Sequence, residues 1–429
     1  MGIMKIVDKI IRILLIIMIV ISIILSMKMW HDIGIDPMFK QEDVDRVQTV
    51  SFNKRSKKLL LLPANLYLHH EQNFILASCD SNLKRINKEL AQAKYSVTTN
   101  TFKANKNELL RQQQTINSLE YVYLEEIDFN QFLNTFSLEV QGQKPHNFSF
   151  NRLVINAANG ELSFFNTKNN KMCILSANHN FNKLYNELLN KNQDSLHFVQ
   201  QDSQSFEYVL SEDVDIPKYR YSYTFPSYTV FTKAFFGNSG KLTSRDTMDN
   251  IIFYDKANRE LQLNEHNGIV NFDEKEIDQY SSTELQDQVL NILQNLGNEI
   301  GDLRFYDAQN NTETFRVYVE NYPVFGSNYH GMIQVKIKDK NLKLFMNQKT
   351  MQVPLPMSEK TKLLSTEHVD EQLRDKKVDL NKITNRQIGY TWNEVDQNTV
   401  IFEPKWYLQY EDIWYSLDDL LNNKQGDVS

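Results

Sequence analysis

The 429-residue sequence predicts an α+β protein: a single N-terminal transmembrane helix followed by a multi-domain ectodomain of antiparallel sheets with packed helices. Three observations carry this reading. An uncharged apolar run lies between Arg12 and Lys28, in a chain that is otherwise polar. The composition is rich in Phe (25) and Tyr (20) and poor in Gly (13) and Pro (9). Such a composition suits ordered antiparallel strands with a packed face, not a disordered stalk. Beyond the apolar run, segments with helical spacing alternate with segments of period two.

The apolar run, Ile10 to Trp30, spans about 21 residues, or roughly 31 Å at about 1.5 Å per residue. That is enough for a hydrocarbon core of about 30 Å. It ends "ILSMKMWHD", without the small residues of a signal-peptide cut site, and Trp30 suits the membrane interface. Lys5, Lys9 and Arg12 precede it against Asp8 alone, and Asp32 and Asp36 follow Lys28. The positive end stays inside. The expected placement is a single-pass anchor in the cell membrane, N-terminus cytoplasmic, with the bulk of the chain outside from about residue 38; a cleaved signal is the alternative.

Four segments follow from a pass along the chain: 1–37 as cytoplasmic start and anchor, 38–203 as an N-terminal ectodomain, 204–280 as a central α+β domain, and 281–429 as a C-terminal domain of helix-plus-meander units. In the first ectodomain, "LLLLPANLYLHH" reads as a strand-like start. Leu83, Ile86 and Leu90 fall at helical spacing, with Ser81 placed as N-cap. "NRLVINAANGELSFFN" reads as a hairpin around an Asn-Gly turn, and Asn182 to Lys191 as a short amphipathic helix. The polar run near 200–206 is a boundary signal.

The central segment holds a hairpin, "IIFYDKANRELQLNEHNGIVNF", turning near Lys256 to Asn258. In the C-terminal segment, Ser281 and Glu284 form an S-x-x-E capping box ahead of an apolar stripe, Leu285, Val289, Ile292, Leu293 and Leu296, and Gly297 stands at the stop. "FRVYVE" places Phe315, Val317 and Val319 inward, and "GMIQVKIK" places Ile333, Val335 and Ile337 inward. A second helix, "STEHVDEQLRDKK", leads into "ITNRQIGYTWN" and "TVIFEPKWYLQY"; Pro404 marks the last as an edge strand or a bulge.

Composition excludes some functions. The net charge is −7, with no basic footprint for nucleic acid; "NKRSKK" at Asn53 to Lys58 is a local cluster that a solvated face explains. The two cysteines, Cys79 and Cys173, are too few for a disulfide-stapled scaffold and read as small buried residues, with their pairing left open. Ser81 to Lys84 fits S-x-x-K, but no S-D-N or K-T-G partner accompanies it. His69 and His70 are adjacent on a strand and point to opposite faces, so with Glu71 they do not converge on a metal. "FGNSGK" at Phe236 to Lys241 lacks the phosphate-loop spacing. No catalytic, cofactor or metal residue is assigned. In the anchor, Ser22 and Ser26 are four apart on one helix face, a small-xxx-small spacing that suits docking of a partner helix; serine bonded back to its own backbone is the plainer account.

Several segments together resemble the YycH family (also called WalH), membrane-anchored accessory proteins of the WalK/WalR (YycG/YycF) two-component system of low-GC Gram-positive bacteria. They are the "MKMWHD" exit from the anchor, "FRVYVENYPVFG" (Phe315 to Gly326), "VPLPMSEKTKLL", and "RQIGYTW" with "TVIFEPKWYLQYEDIWYSLDDLL". The sister family YycI is similar in plan and usually shorter. The resemblance implies an anchor with a three-part α+β ectodomain. It implies a regulatory role without enzymatic activity, exerted with a YycI-like protein on the WalK (YycG) sensor kinase, largely through transmembrane helices, in cell-wall homeostasis. It offers no catalytic residues to carry over and leaves the sign of the regulation and self-association open. A cell-wall (peptidoglycan) enzyme and a passive wall-binding scaffold are the alternatives.

Overall fold

The computed structural model describes residues 15, 18, 19, 22, 54–202, 204–237, 242–275, 282–309 and 311–422. The chain divides into two compact units, Met1–Ser51 and Phe52–Ser429. In the first, Leu15, Met18, Ile19 and Ser22 are helical and exposed. The rest of the predicted anchor lies outside the described residues, and among those described no helix is long and apolar enough to cross a membrane.

The second unit begins with a sheet that has ten strands among the described residues. They are β1 (Asn65–His70), β2 (Asn73–Leu76), β3 (Lys94–Lys103), β4 (Ser118–Asp128), β5 (Glu139–Gln141), β6 (Ser149–Asn156), β7 (Glu161–Asn166), β8 (Lys171–Ala177), β9 (His197–Gln200) and β10 (Tyr208–Leu210). Their order is β10-β9-β2-β1-β4-β6-β7-β8-β3-β5. Strand β1 shows how the sequence sets two faces. Leu66 and Leu68 enter the largest core cluster, and Tyr67 points the other way, as the period-two pleat requires. The helices Asp80–Gln92, Phe129–Phe136 and Asn182–Lys191 cover the leucine face through Leu83, Ile86, Leu90, Phe132, Phe136, Leu184 and Leu188. Each such fully buried side chain contributes about 1.5–3 kcal/mol.

Local expectations meet three corrections here. The helix begins at Asp80, not after Ser81: Cys79 stands at the cap and makes no side-chain cap bond. The strand-like start at Leu59 is instead a turn of helix, Lys57–Leu60, where Lys58 N–H donates to the Ser56 hydroxyl; Pro63 then separates it from β1. The β6–β7 hairpin forms as read, but its turn is longer than Asn-Gly alone. Asn156 Oδ1 accepts from Ala158 N–H and Asn159 N–H, and Gly160 closes the turn at φ +73. A Cβ at Gly160 would meet the His179 carbonyl at 2.2 Å.

The remaining strands are β11 (Val214–Pro217), β12 (Tyr219–Thr224), β13 (Thr243–Asp246), β14 (Asn250–Tyr254), β15 (Arg259–Asn264), β16 (Ile269–Glu274), β17 (Asp302–Gln309), β18 (Thr312–Val319), β19 (Tyr322–Phe325), β20 (Met332–Lys338), β21 (Asn341–Asn347), β22 (Thr350–Leu355), β23 (Lys360–Leu363), β24 (Ile383–Asp396), β25 (Thr399–Tyr410) and β26 (Ile413–Ser416). A middle sheet runs β13-β14-β15-β16-β21-β20-β18, with β17 also on β18. Short β19 joins it to a C-terminal sheet, β24-β25-β12-β22, by pairing antiparallel to β18 and parallel to β24. Strand β26 pairs β25, and β11 and β23 form a separate ribbon. The helix Ser282–Asn295 buries Val289, Leu290 and Leu293 in the large core; Ser281 of the expected capping box lies outside the described residues. The helix Thr366–Asp375 is capped by Ser365 and buries Val369 and Leu373.

Two strands depart from expectation. In β18, Phe315 and Val317 point into the core as predicted, but Arg316 and Tyr318 are buried as well. The second face is sealed by aromatic rings: the Arg316 guanidinium lies 3.9 Å from the Phe325 ring centre, and its Nη1 donates to the Val324 carbonyl at 3.0 Å. Strand β25 is central, not an edge. It pairs β24 along its length, β12 beside its first half and β26 beside its second. Pro404 falls in the gap between those two neighbours, after Phe402 and before Tyr407, where a missing N–H is tolerated.

Candidate functional site: a cleft between the N- and C-terminal sheets

The second face of the N-terminal sheet carries charge where a core would be expected. Register places Tyr67 opposite Glu120 and Val122 opposite Arg152, so β1, β4 and β6 bring their side chains to one face. His69 Nε2 lies 2.8 Å from Glu120 Oε2, and both side chains are fully buried. Arg152 Nη1 lies 3.2 Å from Glu120 Oε1. His69 Nδ1 is 3.0 Å from Ser118 Oγ. The Tyr208 hydroxyl donates to Glu120 Oε2. Burial alone would raise the Glu120 carboxyl; the bonds from His69 and Tyr208 and the Arg152 charge outweigh it and hold the carboxyl below its ordinary range.

Strand β10 carries this cluster across to the C-terminal sheet. Next to Tyr208, Glu207 meets Arg386 Nη1 at 2.6 Å, and Arg386 Nη2 meets Asp370 at 3.3 Å. Burial pushes the Glu207 carboxyl up, with Arg386 pulling the other way. Leu210 N–H donates to Thr366 Oγ1 at 2.9 Å, and Asn65 Nδ2 donates to Gln387 Oε1 at 3.1 Å. Between the sheets lies a narrow cleft, open to solvent at its mouth, with room for about one or two waters. Tyr67, Leu76, Phe198 and Tyr208 line it from the N-terminal sheet; Tyr322, Ile388 and Trp406 line it from the other side.

The residues singled out in the sequence are elsewhere or apart. Ser22 is helical and exposed, and Ser26 lies outside the described residues. Ser81 Oγ accepts from Lys191 Nζ at 2.8 Å, and Lys84 turns to Asp80 at 3.5 Å, so the S-x-x-K pair is not joined. His69 and His70 do point to opposite faces: His69 enters the Glu120 cluster and His70 does not. Gly237 ends the helix Tyr228–Phe236, and the rest of "FGNSGK" lies outside the described residues. Cys79 and Cys173 are both free thiols. Among the described residues no three His, Cys, Asp or Glu side chains are grouped to hold a metal ion.

Sequence reading missed Glu120, Arg152, Glu207, Tyr208 and Arg386. One signal was present: in "SLEYVYL", Glu120 occupies an inward position of a strand that is otherwise apolar. A charge at such a position demands a partner. The partners come from strands far apart in the chain, and no local pattern names them. Chemically the arrangement fastens the two sheets through the Glu207–Arg386 ion pair and the Asn65–Gln387 hydrogen bond and leaves an aromatic cleft between them.

Comparison with known proteins agrees with the resemblance. Residues 8–196 match the family model described as YycH protein, N-terminal domain, and residues 204–426 match YycH protein, C-terminal domain. Among solved structures the chain is similar to YycH from Bacillus subtilis at 16% identity and a TM-score of 0.67, covering 85% of this chain and 97% of that one. An uncharacterized protein from Eubacterium rectale ATCC 33656 matches at 12% identity and a TM-score of 0.31, over 48% of this chain and 78% of that one. No curated protein sequence matches.

Proposed function

The chain belongs to the YycH family, and on that premise we propose that it is a membrane-anchored extracytoplasmic regulator of the WalK (YycG) sensor histidine kinase, acting with a YycI-like protein to tune cell-wall homeostasis signalling. The single observation that carries the reading is the match of both family domains across the chain. The α+β architecture shared with the Bacillus subtilis protein supports it. The apolar run before Trp30 supplies the anchor, and Ser22 and Ser26 supply a face on which a kinase helix packs.

A neighbouring helix biases a kinase only if it packs better against one kinase state than the other. The ectodomain adds a second contact, to the kinase's outer domain or to the YycI-like protein. In this reading the Glu207–Arg386 ion pair and the Asn65–Gln387 hydrogen bond tie the N- and C-terminal sheets into a stiff body, so that a contact at one end is felt at the anchor.

The test is kinase output in membranes that hold the kinase and the YycI-like protein, with and without this chain. The reading expects output to change on deletion. Ser22→Leu with Ser26→Leu should reproduce the deletion while the protein is still made and inserted. Unchanged output on deletion would favour the passive scaffold, and altered peptidoglycan fragments on incubation with the purified chain would favour the wall enzyme.

A further inference from the structure

The loop between β19 and β20 sits where the middle and C-terminal sheets meet. Strand β19 pairs antiparallel with β18 on one side and parallel with β24 on the other. The loop that leaves it, residues 326–331, lies against Trp392 of β24. It has no slack there: a Cβ at Gly326 would meet Trp392 Cβ at 2.9 Å and His330 Cβ at 3.0 Å. The loop also holds Asn328 at φ 53 and Tyr329 at φ 59. For a bulky residue such as Tyr329 that left-handed conformation is strained and persists only where surrounding contacts hold it.

Three contacts hold it. The Tyr329 ring stacks on Phe345 at 5.5 Å, with planes 13° apart. Asn347 Nδ2 donates to the Asn328 carbonyl at 2.9 Å. His330 lies flat on Trp392, ring centres 5.1 Å apart and planes 6° apart. Of these side chains only His330 changes charge between about pH 5 and about pH 8.

The surroundings of His330 disfavour that charge. The side chain is buried, at 7% exposure. Charged groups face it from two other elements: Glu394 of β24, and Lys349 in the link from β21 to β22. Beyond Glu394 lies the Tyr223 hydroxyl of β12. His330 Nε2 is 3.1 Å from Glu394 Oε1 but makes no hydrogen bond. Glu394 is already served: Lys349 Nζ reaches its two oxygens at 2.7 and 2.8 Å, and Trp392 Nε1 donates at 3.1 Å. That carboxylate and that ammonium balance, so a proton on His330 adds an uncompensated positive charge to a buried place. Burial pushes the imidazole below its ordinary value; Glu394 pulls the other way and Lys349 adds to the push. The folded chain therefore binds this proton less readily than the unfolded one. The contribution of the neutral ring is present above the ordinary value of 6.5 and is lost as pH falls below it.

We propose that His330 is a pH-released latch: neutral, it holds the loop 326–331 closed on β24; protonated, it lifts from Trp392 and loosens the junction of the middle and C-terminal sheets. The proposal stands on the loop and its neighbours and is independent of the kinase reading.

The test is hydrogen exchange read by mass spectrometry on the full chain in detergent micelles, at about pH 7.5 and about pH 5, with labelling times scaled for intrinsic rates. Peptides spanning residues 322–338 should exchange about threefold faster or more at the lower pH, and those of the β6–β7 hairpin should not change. His330→Phe keeps a flat ring that takes no proton, and its loop should exchange alike at both values. Lys349→Gln removes the competing cation and leaves Glu394 to pair with an imidazolium, so the acid-induced loss should disappear there too. Equal exchange of the parent at both values, or stronger protection in acid, would overturn the proposal. So would an acid-induced loss retained by either folded variant.

Discussion

Glu207 and Arg386 lie 179 positions apart in sequence and meet at 2.6 Å, joining the last strand of the N-terminal sheet to the C-terminal sheet. Arg386 is 9% exposed, and its second arm holds Asp370, which is 11% exposed. The pair thus sits between two regimes. Exposed ion pairs contribute about 0–1 kcal/mol, and breaking a buried one costs about 3–5 kcal/mol.

Replacing Arg386 with Met keeps much of the apolar stem and strands two carboxylates. The expected cost is about 2 kcal/mol, between those limits because Glu207 is 40% exposed. Urea unfolding of the purified chain would show it as a lower midpoint. Glu207→Gln should cost less, since a neutral amide still accepts a bond from Arg386.

Glu120 gives a pH signature. Its carboxyl is held below the ordinary carboxylate range, so its contribution is present above the unfolded pKa and is lost as pH falls through the folded pKa. Glu120→Gln should cost about 3–5 kcal/mol at neutral pH by leaving His69 and Arg152 facing a neutral group. It should also flatten the acid limb of the stability curve. A variant with the same acid limb as the parent would show that other carboxyls set it.

Glu313 has the opposite sign. Burial pushes its carboxyl up to about 7, and its Oε2 has no hydrogen-bond partner. A carboxyl raised in the folded state stabilises below the unfolded pKa, and that contribution is lost as pH rises through about 7. Glu313→Gln should therefore raise the thermal midpoint at about pH 8 and change it little at about pH 5. Equal effects at both values would contradict the assignment.

The thiols should behave differently from each other. Cys173 is buried, and burial pushes its thiol up to about 12, whereas Cys79 is partly exposed. Iodoacetamide on the native protein should label Cys79 and spare Cys173 until denaturant is added, as read by peptide mass spectrometry. Reductant should leave the unfolding midpoint unchanged.

Much of the local structure was legible in the sequence. The helix Asn182–Lys191 and the turn between β14 and β15 follow from spacing and turn residues, because both are decided within a few residues. What escaped depends on neighbours that spacing does not reveal. Pro404 read as an edge because no sequence pattern shows that β12 and β26 leave a gap beside it. Arg316 read as the outer face of β18 because only the fold brings Phe325 over it. The cleft shares this origin: Tyr67, Tyr208, Tyr322, Arg386 and Trp406 come from five strands in two sheets. Each looks like ordinary strand sequence until the sheets are assembled.

The central claim is that the anchor and the body together engage a sensor kinase. Its most direct test is co-purification of the WalK-type kinase from membranes with two baits, the full chain and residues 1–40 fused to an unrelated outer domain. The account predicts that both baits retain the kinase, the full chain more strongly, and that Ser22→Leu with Ser26→Leu releases it from the short bait. Failure of both baits to retain the kinase, with the YycI-like protein present, would contradict the account.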